Sequence, residues 1–429
     1  MKYKPLNSSV YVKNREKFKK LQREKTLAVF NSNDILPSNA DGTMPFRQNN
    51  DLFYLSGIDQ EETILLLFPD HPNEKFHEVL FIKETNEHIA IWEGHKFTKK
   101  EAQEISGIKS VMWLDQFPTV LSMLMSDCQG IYVNTNEHAR AAKDVQTRDA
   151  RFIEWCKKNY PAHEYLRAAP IMHQLRFIKS EEEIAQMQVA NDLTASAFDR
   201  VLKFVKPGVK EYEIEAEYLH EFIRQGSRGF AYMPIIASGA NSCVLHYVEN
   251  SRVCEAGDLL LMDVGAEYGN YNADMTRTIP VSGRFTERQK AVYSAVLRVQ
   301  REAMKLLVVG NTLPAYHQEV GKFMESELIS LGLLDKTDVK NQNPNQPAYK
   351  KYFMHGTSHH IGLDVHDVGD IYSPIQENMV FTIEPGIYIP DEKIGIRLEN
   401  DVVVKREGLF DLMEKIPIEV EEIEEIMNA

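Results

Sequence analysis

Through the first third of the chain, short apolar runs alternate with amphipathic stretches. LAVF (27–30), FYLSG (53–57), TILLLF (63–68), EVLFI (78–82) and GIYVN (130–134) are rich in β-branched, aromatic and leucine residues and read as strands. Between them, 98–106 and 114–126 carry helical spacing, and 9–25 reads as an exposed basic helix that packs Phe18 and Leu21 inward. Strands alternating with helices predict an α/β domain with its own mixed sheet. The pattern changes after Arg167-Ala-Ala-Pro170. Ser180-Glu-Glu-Glu183 has the form of a capping box, and Ile184, Met187, Ala190 and Leu193 follow at helical spacing. Two domains are expected, 1–172 and 173–429. The second opens with two long helices broken at Lys206-Pro-Gly-Val209. It is then strand-rich over 230–283, helical over 285–333 and strand-rich again over 378–405. The polar segment 335–351 reads as a surface loop, and the acidic 417–427 as a short terminal helix.

Composition narrows the class. With 429 residues, 43% hydrophobic and 26% charged, the chain is globular rather than disordered. A net charge of −14 argues against nucleic acid or an anionic membrane as partner. The four cysteines form no CxxC pair, which fits a reducing compartment. The first residues show no apolar signal core, and no run is long enough to span a bilayer, so a cytoplasmic protein is expected.

Candidate chemistry lies in two hairpins and a histidine cluster. In LLLMDVGAEYGNYNADMTRTIPV (259–281), a turn at Gly269-Asn270 sets Tyr268 opposite Tyr271 and hence Asp263 opposite Thr276. Asp263 and Asp274 then become diagonal neighbours on one face. Converging acids beside an apolar strand repel and lose hydration, which a divalent cation would offset; two separately solvated turn acids are the alternative. Four of the 14 histidines, His355, His359, His360 and His366, fall in HGTSHHIGLDVHD. Its glycines and β-branched residues oppose a helix, so an extended or irregular segment is expected, with only some rings facing a site. In 379–404 a strand, a turn at Pro390-Asp-Glu-Lys393 and a second strand place Arg397 and Glu399 on one face, with Glu384 just before a Pro-Gly. A cross-strand Arg397–Glu399 ion pair and a turn-capping Glu384 are the structural alternatives. The combined set, Asp263, Asp274, His359, Glu384 and Glu399, is oxygen-rich with one imidazole. It suits Mn²⁺, Co²⁺ or Zn²⁺ better than a thiolate zinc site. Four carboxylates suit two ions better than one, holding a bridging water as hydroxide.

The ordered motifs D-x10-D, H-G-x-S-H…D-V-H-D, E-P-G-x-Y and R-x-E resemble the pita-bread metallopeptidases, most closely the aminopeptidase P family. Pro45-Phe-Arg-Gln-Asn-Asn-Asp51 with Phe53-Tyr-Leu-Ser-Gly57, and Leu245-His-Tyr-Val-Glu-Asn250, are similar to that family as well. The resemblance spans essentially the whole chain. It implies an α/β N-terminal domain with a mixed sheet and an α+β pita-bread catalytic domain, with a curved antiparallel sheet and flanking helices. By position it implies Asp263 on one ion, Asp274 and Glu399 bridging two, and His359 and Glu384 on the second. His360 is the alternative ligand, though the G-x-S-H register favours His359. His246, His355 and His366 match outer histidines that orient substrate and stabilise the oxyanion. Tyr388 and Arg397 match the proline-binding side, and Glu384 a proton shuttle.

The implied activity is release of the first residue from peptides with proline second, by a dinuclear centre with Mn²⁺ foremost. The N-terminal domain would serve assembly as a dimer or tetramer. Prolidase, restricted to Xaa-Pro dipeptides, shares these ligands and is the first rival. A catalytically inactive binding module of the same fold is the second.

Overall fold

In the computed structural model, residues 2–141, 144–343 and 345–429 are described. The chain separates into two units: residues 5–176, and residues 177–429 together with the first four.

The smaller unit is built on a six-stranded sheet in the order β4-β3-β2-β1-β5-β6, from β1 (Thr26–Asn31), β2 (Ile64–Leu67), β3 (Glu78–Ile82), β4 (Ser110–Trp113), β5 (Gly130–Val133) and β6 (Glu164–Arg167). The β1–β2 and β2–β3 ladders are antiparallel, while β3–β4, β1–β5 and β5–β6 are parallel, so the sheet is mixed as expected. Every residue of β1 and β2 is buried, which accounts for their unbroken apolar runs.

Two local expectations fail in this unit. FYLSG is not a strand but part of the helix Asn50–Ser56. The Asn49 side chain accepts from the amides of Asp51 and Leu52, and Gly57, at φ 68°, closes the helix. A Cβ at Gly57 would lie 2.3 Å from the Tyr11 ring. Caps that bracket a run decide its type where an apolar stretch without alternation cannot. The first helix spans Ser8–Leu21 and buries Phe18 but leaves Leu21 43% exposed. It also buries Arg15, whose guanidinium donates to Glu78 (2.9 Å) and to the Leu55 carbonyl (2.7 Å). The helix is therefore more deeply packed than its basic composition suggests.

In the larger unit, Ser180 and Glu183 form the capping box that starts the helix Glu181–Phe204, and Glu211–Arg224 follows the Pro-Gly break. The strands are β7 (Gly229–Phe230), β8 (Ile235–Ser238), β9 (Leu259–Val264), β10 (Ala266–Tyr268), β11 (Tyr271–Asn272), β12 (Met275–Pro280), β13 (Val380–Ile383), β14 (Gly386–Ile389), β15 (Ile394–Arg397), β16 (Asn400–Lys405) and β17 (Gly408–Asp411). Among the described residues every ladder in this unit is antiparallel. The helices Glu287–Leu306 and Leu313–Ser330 pack on each other and contribute Val292, Val296, Val320 and Met324 to the core. Segment 335–351 is more structured than a plain loop: it holds a short helix, Lys336–Lys340, and a 3₁₀ turn, Ala348–Lys351, while its residue 344 lies outside the described residues. The acidic tail forms the helix Val420–Met427, in which Glu424 accepts from the Phe285 amide (2.9 Å). No helix among the described residues is long and apolar enough to cross a membrane.

Candidate metal centre

The first hairpin adopts the register expected from its turn, with Tyr268 opposite Tyr271 and Asp263 opposite Thr276. Its ladder is interrupted between β9 and β10. There Gly265 passes so close to the facing strand that a Cβ would lie 1.8 Å from the Ala273 carbonyl oxygen. Asp274 follows directly, and its amide donates to Asp401 (3.0 Å). The Tyr232 hydroxyl lies 2.6 Å from a carboxylate oxygen of both Asp263 and Asp274. One phenolic hydrogen serves only one of them at a time.

The second hairpin is not two continuous strands. Its ladders pair Ile383 with Asn400 and Gly386 with Arg397, and between them a single backbone bond, from the Leu398 amide to the Pro385 carbonyl (3.2 Å), remains. Pro385 has no N–H to donate. Glu384 and Glu399 therefore occupy equivalent rungs of the gap. The Glu399 amide donates to the Thr276 carbonyl (3.0 Å) and the Thr276 hydroxyl donates to the Glu399 carboxylate (2.6 Å), joining the two hairpins. Arg277, fully buried, donates to both the Thr276 (3.0 Å) and Glu399 (2.7 Å) carbonyls.

The histidine segment is extended beside β13 over residues 357–361 and irregular over 362–366, in line with its composition. The Thr382 amide donates to the His359 carbonyl (3.0 Å), the His359 amide donates to the Thr382 hydroxyl (3.2 Å), and His360 bridges to Phe381. Successive rings therefore face opposite ways. His360 is buried against Phe381, with centroids 4.4 Å apart. The ring of His359 donates from Nδ1 to the His360 carbonyl (3.0 Å) and turns Nε2 toward Asp274 (3.5 Å) and Glu384 (3.8 Å). His366 stacks edge-on at 4.3 Å. His355 donates from Nδ1 to the Gly356 carbonyl (2.8 Å). Its Nε2 then accepts from the Tyr388 hydroxyl (2.8 Å), which itself accepts from Arg397 (2.7 Å). Arg397 also pairs with Asp263, not with Glu399. His246 is exposed on the loop 244–249.

The electrostatics show surplus negative charge. Burial, then the charges of Asp274, Glu384 and Asp263, push Glu399 well above the usual carboxylate range. Burial pushes Glu384 up to about 7, against the opposing pull of His359 and Arg397. Burial also raises Asp263, although Arg397 opposes it. Burial alone would lower His359, but the hydrogen bond to Asp274 and the charge of Glu384 hold it up to about 9. Burial and Arg397 push His355 down to about 3, leaving it neutral. A cluster in which acids are forced to keep protons and an imidazole to gain one is suited to a cation that would displace those protons. Asp274, His359 and Glu399 each offer a ligand atom within 4.8 Å of the others. Asp263 adjoins them through Tyr232, and Glu384 through His359. The donor set fits hard or borderline divalent ions.

The sequence reading missed Tyr232, which lies between two short strands and has no distinguishing pattern. It also left Thr276 and Asp401 without a role. Thr276 could have been found as the rung opposite Asp263, and Asp401 as the buried end of the Arg397–Glu399 alternation.

Residues 185–406 match metallopeptidase family M24, and residues 11–132 match the N-terminal domain of aminopeptidase P. The chain is 36% identical over 403 residues to an Xaa-Pro aminopeptidase of Escherichia coli, covering 91% of each chain. The solved structure of the aminopeptidase PepP of Pseudomonas aeruginosa superposes with a TM-score of 0.90 at 31% identity, covering 99% of both chains. Zinc-substituted E. coli aminopeptidase P in complex with product superposes at 0.88, with 31% identity and the same coverage.

Proposed function

Because the chain belongs to metallopeptidase family M24 and is a metallo-exopeptidase hydrolase, we propose that it releases the N-terminal residue from peptides with proline in the second position. The observation that carries this reading is the convergence of Asp274, His359 and Glu399, with Asp263 and Glu384 beside them, from two hairpins and a separate histidine segment. In this proposal those five side chains hold two divalent ions, Mn²⁺ foremost for the oxygen-rich donors, with Co²⁺ and Zn²⁺ as alternatives. When bound, the ions supply Lewis-acid polarisation of the scissile carbonyl and acidify an attacking water.

The remaining work falls to the chain. A prolyl nitrogen has no N–H and must receive a proton as its bond breaks. In this reading Glu384, beside His359 at the edge of the cluster, would hold that proton and deliver it. Neutral His355, fixed by Tyr388 and by the Gly356 carbonyl, presents its ring at the rim of the cluster. With His246 and His366 it would orient the peptide and stabilise the developing oxyanion. Tyr388 and Arg397 would line the side that receives the proline ring, and Arg397 keeps Asp263 aligned. The substrates in this reading are Xaa-Pro peptides in the cytoplasm, and the assembly is a homodimer or homotetramer.

The test is hydrolysis of matched Xaa-Pro and Xaa-Pro-Yaa peptides after stripping metal and restoring Mn²⁺, Co²⁺ or Zn²⁺. Metal-dependent turnover of the tripeptide is expected. Turnover of the dipeptide alone would assign prolidase activity instead. Intact metal binding without any turnover would point to the inactive binding module.

A further inference from the structure

The histidine segment is clamped from outside by the helix Leu313–Ser330. Tyr316 accepts a hydrogen bond from Ser358 (3.2 Å), and the Nδ1 of His317 is paired with the hydroxyl of Thr357 at 2.8 Å. Thr357 is buried, and its carbonyl accepts the Glu384 amide (2.8 Å). It also lies midway between His355 and His359. The His317 ring sits against Phe353 and Tyr349, at 5.9 and 6.3 Å, and Phe353 in turn meets the ring of His355 edge-on at 4.9 Å. His317 thus bears on Glu384 through Thr357 and on His355 through Phe353. Neither the metal set nor the substrate-facing residues include it. Burial, with Lys350 nearby, lowers its pKa, consistent with a neutral ring held for geometry rather than charge.

We propose that His317 is a positioning residue of the peptidase site, fixing Glu384 and the His355–His359 segment through its hydrogen bond to Thr357. The inference rests on the peptidase reading above, in which Glu384 moves the proton. A group that transfers a proton tolerates little displacement, and an error near 1 Å costs up to about a hundredfold in rate. Replacing His317 with phenylalanine keeps the ring packing and deletes the bond to Thr357 together with the longer contact from Nε2 to the Tyr349 hydroxyl (3.5 Å), whereas asparagine places an amide nitrogen where Nδ1 stands.

The experiment compares H317F, H317N, T357V and the H317F/T357V pair in the full-length, metal-reconstituted protein. The expected result for H317F is a fall of about tenfold or more in kcat with KM within about twofold. H317N should recover most of that loss, and T357V should match H317F with no further loss in the pair. Hydrogen exchange on metal-free protein supplies a readout independent of substrate. Faster exchange of the Glu384 amide is expected in H317F and T357V, and near-wild-type exchange in H317N. A kcat within twofold of wild type in H317F, additive losses in the pair, or unchanged Glu384 exchange would each overturn the proposal. Failure of the wild-type enzyme on every Xaa-Pro peptide would overturn the peptidase reading, while the exchange measurement would still judge the role of His317. Should H317F not fold, T357V and H317N carry the same comparison.

Discussion

Asp149 offers a quantitative test of electrostatics in the N-terminal unit. It lies in the first turn of the helix Arg148–Asn159, is 8% exposed and accepts a hydrogen bond from Asn31 (2.8 Å). Burial pushes its carboxyl from 3.8 up to about 7, with the Asn31 bond opposing and Asp51 adding to the rise. Because the folded-state value is the higher one, the folded chain binds more protons between the two values. Stability is unaffected below about pH 4, falls as pH rises toward 7, and is flat above. A shift of about three units corresponds to about 4 kcal/mol. The helix N-terminus favours the ionised form by up to about 1 kcal/mol, which leaves about 3 kcal/mol. Asp149→Asn keeps the oxygen that accepts from Asn31 and removes the titration. All three tryptophans, Trp92, Trp113 and Trp155, lie within residues 5–176, so tryptophan fluorescence, excited selectively, reports on this unit. In urea titrations the variant should match wild type near pH 4 and exceed it by about 3 kcal/mol at pH 8. Parallel pH profiles for the two proteins would refute the assignment.

Other expectations concern the metal centre. Asp274→Ala and Glu399→Ala should abolish metal-dependent turnover while circular dichroism stays native; retained turnover would contradict their placement as ligands. Glu399→Gln removes one of the mutually repelling buried carboxylates, so the metal-free protein should melt about 3 °C higher per kcal/mol relieved, yet gain no stability from added metal. Gly265→Ala forces a methyl against the Ala273 carbonyl beside Asp274. It should cost about 1–3 kcal/mol of stability and lower metal affinity, and an affinity within twofold of wild type in calorimetry would remove the argument.

Much of this arrangement was legible because it is local. Gly269-Asn270 dictates the hairpin register, and that register alone sets Asp263 and Thr276 opposite each other. The Ser180–Glu183 box and the Pro-Gly at 207–208 likewise fix helix ends by backbone chemistry within a few residues. FYLSG was misread for the complementary reason: its type is set by Asn49 and Gly57 outside the run, while the run itself has no period. The partner of Arg397 was equally hidden. Alternation put Arg397 and Glu399 on one strand face, but the ladder breaks between them, so the guanidinium reaches Asp263 in the other hairpin. Tyr232, Asp401 and His317 depend wholly on contacts between distant segments, which no spacing encodes.

The two hairpins solve the same problem in the same way. Each brings acids to the point where its ladder opens, at Gly265 and Asp274 in one and at Glu384 and Glu399 in the other. A continuous ladder would have fixed alternate side chains on opposite faces, whereas the breaks leave backbone groups to be satisfied from elsewhere. They are: Asp401 takes the Asp274 amide, Thr276 takes the Glu399 amide, Thr357 takes the Glu384 amide, and Arg277 ties the Thr276 and Glu399 carbonyls together. Each candidate carboxylate at a break is thus anchored by its own main chain, and its oxygens remain available. The repulsion among them, visible in the raised Glu399 and Glu384, follows from that rigidity, because anchored acids cannot relax apart. Substitutions that cut a backbone anchor, such as Asp401→Ala, should therefore lower the repulsion and the metal affinity together. An Asp401→Ala protein that binds metal as tightly as wild type would separate the two and break the link.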